Sequence, residues 1–79
     1  MRIVIENLPK DVSEDEIREA LSPFAQVGEI ELIQEGSAPV AVIHVEMQQR
    51  EPAYALARRI TGHYYKGRKL GAWVPLWSE

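Results

Sequence analysis

Side chains that could carry out acid–base or metal chemistry are few in this sequence. His44 and His63 are the only histidines, and there is no cysteine, which excludes a thiolate metal site, a cysteine nucleophile and a disulfide. The neighbouring carboxylates Asp15 and Glu16 are better explained by helix capping than by paired acid–base catalysis. Metal-ligand spacing and a phosphate-binding glycine loop are also absent. The sequence therefore predicts a protein that is not an enzyme and uses no cofactor.

The size and composition fit one small soluble domain. The chain has 79 residues, of which 46% are hydrophobic and 27% charged, as is ordinary for globular proteins. Its longest apolar runs are strand-length, and the N-terminus lacks the apolar core of a signal peptide. We therefore expect no membrane partner and a cytoplasmic or nuclear location.

Charge is distributed unevenly along the chain. The net charge is -3, with three basic and nine acidic residues in positions 1–40 but six basic and three acidic in positions 41–79. The overall balance argues against tight non-specific nucleic-acid binding, which depends on phosphate neutralisation. Residues 58–69 contain five basic residues and no acidic one, namely Arg58, Arg59, Lys66, Arg68 and Lys69. This group fits an anion-steering surface and fits a solvated helix end and loop equally well.

Hydrophobic periodicity predicts alternating strands and helices. Strands are predicted over residues 2–6, 29–34, 39–47 and 69–74. The first helix should begin after Ser13, which forms a capping-box signature with Glu16, and should end at Pro23. The second should have Pro52 in its first turn and Gly62 as its C-terminal cap. The order βαββαβ predicts an α+β, ferredoxin-like fold with two helices on one face of a four-stranded antiparallel sheet.

Two local features follow from this arrangement. Ile17, Ala20, Leu21 and Phe24 recur at three-to-four spacing, so we expect them to share the buried face of the first helix. Residues 64–69 are expected to form a connection that turns at Gly67.

The chain resembles the RNA-recognition motif (RRM) family over almost its whole length. Residues 3–8 (IVIENL) resemble the family's hexamer motif, and residues 60–62 and 67–70 resemble its second-helix ending and its entry to the last strand. Phe24-Ala25 stands where the family has Phe-Gly, and this alanine would be strained if the position needs a positive φ. The resemblance implies a single RRM-like RNA-binding domain over residues 1–79.

The family's octamer motif is where this chain departs from the pattern. Residues 38–45 read APVAVIHV, and only Ala41 and Ile43 fit. Val4, Val40 and Val42 replace the usual stacking aromatics, each of which is worth about 1–3 kcal/mol per base. The resemblance therefore implies weak or atypical RNA recognition.

Strand alternation predicts which side chains face away from the helices. This open face should carry Arg2, Val4, Glu6, Glu31, Ile33, Val40, Val42, His44, Gly71 and Trp73. An exposed apolar centre of this kind marks either an interaction site or a surface that something covers. One alternative is that residues 75–79 fold back over the sheet. Another is a shift of the last strand by one residue, which would bury Trp73.

The function predicted from the resemblance is binding of single-stranded RNA on the open face. The predicted RNA site consists of Arg2, Val4, Val40, Val42, His44, Arg68, Lys69 and Trp73. In this site Trp73 and His44 supply rings for stacking, and the basic residues lie near phosphates. The alternative is protein–protein interaction or homodimerisation through the same aliphatic face, which the acidic balance and the missing aromatics favour.

Overall fold

The structure is a computed structural model that describes residues 1–34, 36–47 and 49–75. Its elements are β1 (Arg2–Glu6), α1 (Glu14–Leu21), β2 (Val27–Ile33), β3 (Val40–Val45), α2 (Arg50–Ile60), β4 (Tyr64–Tyr65), β5 (Arg68–Lys69) and β6 (Gly71–Trp73). Four strands form an antiparallel sheet in the order β2-β3-β1-β6, and β4 pairs with β5. The predicted ferredoxin-like fold is confirmed, with a short hairpin added before the last strand. No helix within the described ranges is long and apolar enough to cross a bilayer.

Helix α1 begins and ends where the sequence predicts. Ser13 Oγ accepts a hydrogen bond from the backbone N–H of Glu16, and the Glu16 carboxylate accepts one from the backbone N–H of Ser13. This reciprocal capping box satisfies two amides that the first turn leaves unpaired. The helix ends at Leu21, two residues before Pro23.

Of the four residues predicted to share the buried face of α1, Ile17 and Leu21 are buried. Ala20 is exposed, and the side chain of Phe24 is 50% exposed. The helical period does not extend to it: α1 stops at Leu21, and the backbone N–H of Phe24 bonds the Leu21 carbonyl in a tighter turn. The expected strain at Ala25 is also not found. Positive φ values in non-glycine residues of the described chain occur at Asn7 and Lys66.

The core lies between the sheet and the two helices. Ile3 and Ile43 pair across β1 and β3, and both are essentially inaccessible to solvent. Helix α2 adds Ala53, Leu56, Ala57 and Ile60 from its buried face. Burial alternates along β3 as the pleat predicts, with Ala41 and Ile43 buried and their neighbours partly exposed. In β1, Val4 is buried together with Ile3 and Ile5, so it is not exposed on the open face as predicted.

The β4–β5 hairpin was expected to be a simple connection. Lys66 and Gly67 have φ values of 51° and 83°, as a two-residue type I′ turn requires at both central positions. The hairpin is fastened to the end of α2, where the Gly62 N–H bonds the Leu70 carbonyl and the Leu70 N–H bonds the His63 carbonyl. These bonds fix the direction in which the chain enters β6.

An exposed ion pair joins the hairpin to α1, with Lys66 Nζ 2.5 Å from Glu16 Oε2. The hydrogen bond from Lys66 lowers the pKa of Glu16 below its ordinary 4.5, and the same bond raises the pKa of Lys66 above 10.5. The Glu16 contribution to stability is present above the unfolded carboxyl pKa and is lost as the pH falls through the lower folded value. The Lys66 contribution is present below 10.5 and is lost as the pH rises through the higher folded value.

We expect Lys66→Gln to lower the melting temperature slightly at neutral pH, because exposed ion pairs contribute little to stability. The difference from the wild type should shrink on acidification through the folded pKa of Glu16. Thermal unfolding followed by circular dichroism at several pH values measures this. A difference that persists in acid would assign the effect to the turn at Lys66 instead of the ion pair.

Candidate functional site

A row of four side chains crosses the open face of the sheet, one from each strand. The strand register pairs Glu31 with Val42, Val42 with Val4, and Val4 with Trp73. Because adjacent strands lie about 4.8 Å apart, the row is about 14 Å long. Val4 is 6% exposed in the middle of the row, and Trp73 is 45% exposed at its end. The predicted register of the last strand is confirmed, and the indole of Trp73 faces solvent.

Arg2 and His44 lie opposite each other one step along β1 and β3. Arg2 Nε donates a hydrogen bond to His44 Nε2 over 3.3 Å. Both residues are half-buried. The contact holds a guanidinium and an imidazole together beside the valine row.

Carboxylates also occupy this face. Glu6 pairs with Gly71, and a Cβ at residue 71 would lie 2.8 Å from Glu6 Oε2. The Glu6 side chain therefore lies across Gly71 in space that any other residue would fill. Glu31 lies on the other side of the two valines of the row, so the valines have a carboxylate on each side. Arg2 is the positive charge next to them.

Val40 extends the apolar surface toward the edge of the sheet. It is half-buried and pairs with Ile33 of β2, which is 36% exposed. The valines at positions 4, 40 and 42 thus form one apolar floor on β1 and β3. The three valines alternate with core residues along their strands, so they lie on the side of the sheet away from the helices. Val4 is itself buried.

Arg68 and Lys69 lie on the hairpin beyond the end of β1, separate from the row. Asn7, which follows β1, adopts a left-handed conformation with φ 65°. Its side-chain Nδ2 donates to the Lys69 carbonyl over 2.8 Å, and its Oδ1 accepts from Arg68 Nη2 over 2.6 Å. Arg68 is partly buried, and its Nε has no hydrogen-bond partner among the described residues. Lys69 is the exposed cation at this end of the site.

The sequence placed Asn7 in the hexamer motif of residues 3–8 but did not predict its structural role. The signal was present in its type, because asparagine tolerates the left-handed region and bonds nearby backbone groups. The side chain ties the end of β1 to the hairpin, so it positions both Lys69 and the start of β6.

The fold is an α+β domain with two helices on one side of a four-stranded antiparallel sheet and the other side left open. Residues 3–71 match the sequence model of the RNA recognition motif family. The chain belongs to this family, whose members are non-catalytic RNA-binding domains. No curated protein matches the sequence.

Solved structures share the fold over nearly the whole chain. The homodimer of NONO-1 from C. elegans is 27% identical, with a TM-score of 0.79, and the match covers 95% of this chain and 28% of NONO-1. Pes4 RRM3 is 22% identical, with a TM-score of 0.83 and coverage of 99% and 94%. The Rna15 RRM with bound GU RNA is 20% identical, with a TM-score of 0.78 and coverage of 99% and 85%. The chain thus spans little more than a quarter of NONO-1.

Proposed function

We propose that this domain binds single-stranded RNA weakly on the open face of its sheet, with Trp73 as the main stacking platform. The observation that carries the proposal is that Val42 and Val4 lie in one row with the exposed indole of Trp73. Any base can stack on the face of an aromatic ring, and aliphatic side chains can pack against the next base of the strand. Membership of an RNA-binding family supports this assignment of the surface.

The charges around the floor explain why binding is expected to be weak. Arg2 lies beside the floor. Arg68 and Lys69 lie beyond the end of β1, separate from the floor, where they could reach phosphates of a longer bound strand. Glu6 and Glu31 are on the same face and repel phosphates. Few phosphates are neutralised, so the affinity should fall only shallowly with salt.

Amide chemical shifts recorded at low salt during titration with short RNA oligomers test the proposal. A GU-containing oligomer is a suitable first probe, because the Rna15 domain was solved with GU RNA. We expect shifts along β1, β3 and β6, and a shift of the Trp73 indole N–H. Unchanged signals on β1 and β3 at saturating RNA would exclude this surface as an RNA site.

The second candidate function is homodimerisation through the same face. Two observations favour it: the contiguous apolar floor of Val4, Val40 and Val42, and the structural similarity to NONO-1, which was solved as a homodimer. Apolar patches of this kind often mark protein interfaces. Both functions use one surface, so RNA and a second copy would compete for it.

If the face self-associates, Val42→Lys should abolish the dimer, because it places a charge in the middle of the apolar floor without a partner. Sedimentation velocity over a range of protein concentrations measures the effect. Gln26→Lys is the matched control, since it adds the same charge at an exposed position before β2. A monomer at every concentration in the wild type would eliminate this candidate.

A further inference from the structure

An apolar groove lies between the two helices, on the side of the domain opposite the open sheet face. Its cavity has a volume of about 300 Å³. The walls are Ala20 and Leu21 of α1 and Leu56 and Ile60 of α2, and Ile5 of β1 forms part of the floor. The helices therefore leave part of the core reachable from solvent. The volume is at the lower end of the range for ligand pockets, about 300–1,000 Å³.

Phe24 and Arg59 form the rim of the groove at its middle. The Arg59 guanidinium carbon lies 4.6 Å from the centre of the Phe24 ring, a cation–π distance. On the far side of this stacked pair a second, shallower depression is lined by Pro23, Met47 and Pro52. Both depressions share Phe24, Leu56 and Arg59, so they form one groove along α2.

The groove has a positive character. Arg59 is the only charged side chain among the described residues that line it, and His63 is the only other titratable one apart from Tyr65. Glu16, which precedes the lining residue Ile17, is paired with Lys66. A binding partner that carries carboxylates next to apolar side chains would match both the walls and the charge of this groove.

We propose that the helix groove binds a short acidic peptide segment of a partner protein. A leucine-type side chain enters the cavity between α1 and α2, and a neighbouring carboxylate pairs with the Arg59 guanidinium, which the Phe24 ring holds in place. A second copy of the chain fits less well, because a two-fold contact at the groove would bring Arg59 against Arg59. The site is separate from the sheet face, so this inference stands whether or not the domain binds RNA.

Two synthetic peptides of equal length test the proposal, one of alternating leucine and glutamate and one with lysine in place of glutamate. Amide shifts of the isotope-labelled chain report the binding site and the affinity. We expect the acidic peptide to shift the amides of Ala20, Leu56 and His63 and to leave those of β3 unchanged. It should bind about tenfold more tightly than the lysine peptide, as charge-assisted contacts of this kind imply.

Matched variants separate the charge from the cavity. Arg59→Gln should weaken the acidic peptide about three- to tenfold, whereas Arg58→Gln, an exposed neighbour that does not line the groove, should not. Phe24→Ala should also weaken it, and circular dichroism checks that each variant is folded. Equal binding of both peptides, shifts confined to the sheet, or self-association without peptide that Phe24→Ala removes would each overturn the proposal.

Discussion

Replacing Trp73 with alanine should weaken RNA binding about 5- to 150-fold, which corresponds to the 1–3 kcal/mol that one base–aromatic stack contributes. The loss is expected to be large because the indole stands at the end of a row whose other members are valines and a glutamate. No second exposed aromatic ring lies in that row. Fluorescence polarisation of a labelled RNA oligomer, titrated at low salt, measures the change in affinity.

Two further variants make the Trp73 result specific. Trp73→Phe keeps a ring at the same register position and should retain much of the affinity. Tyr64→Ala removes an aromatic side chain that is 67% exposed on the hairpin, and it should leave RNA affinity unchanged. Equal affinities for Trp73→Ala and the wild type would mean that the valine floor binds RNA without stacking, or that RNA binds elsewhere.

Replacing Asn7 with alanine should destabilise the domain by about 2–3 kcal/mol, because it removes two hydrogen bonds and places at positive φ a residue that tolerates this region less well than asparagine. The bonds join the end of β1 to the Lys69 carbonyl and to Arg68. Without Asn7, Arg68 Nη2 loses its hydrogen bond to the Asn7 Oδ1. The buried Nε of the same guanidinium already has no hydrogen-bond partner among the described residues. Urea unfolding followed by circular dichroism measures the free energy of unfolding.

Asn7→Gly separates the two contributions. Glycine adopts the left-handed conformation at φ 65° without strain but makes neither hydrogen bond. It should therefore be more stable than Asn7→Ala by about 1 kcal/mol and still less stable than the wild type. If both variants unfold at the wild-type urea concentration, the side chain of Asn7 does not fasten the hairpin.

The fold was predictable because local sequence patterns indicate where its helices and strands lie. In β2, charged and apolar residues alternate over positions 29–32, which distinguishes the solvent-facing side of that strand from its core side. The Ser13–Glu16 capping box fixes the start of α1. The β4–β5 hairpin was not predictable in the same way. Its strands have two residues each, which is too short for any periodicity to appear.

The sequence predicted which side of the sheet Val4 and Trp73 occupy, but it did not predict the contacts of Asn7 or the exposure of Phe24. That Val4 and Trp73 share one face follows from alternation, and the structure shows in addition that the two residues pair across β1 and β6. The roles of Asn7 and Phe24 depend on where an element stops. Helix α1 ends before its apparent period does, which leaves Phe24 exposed, and Asn7 makes its bonds to residues more than sixty positions away.

The pairing of β1 with β6 also has a consequence for the order of folding. Residues 4–6 bond to residues 71–73, so one edge of the apolar strand β1 stays unpaired until the last strand is in place. Closing contacts between such distant segments is slow, and an open strand edge is prone to pair with other molecules. Truncation before residue 71 should therefore leave this edge of β1 unpaired and promote aggregation.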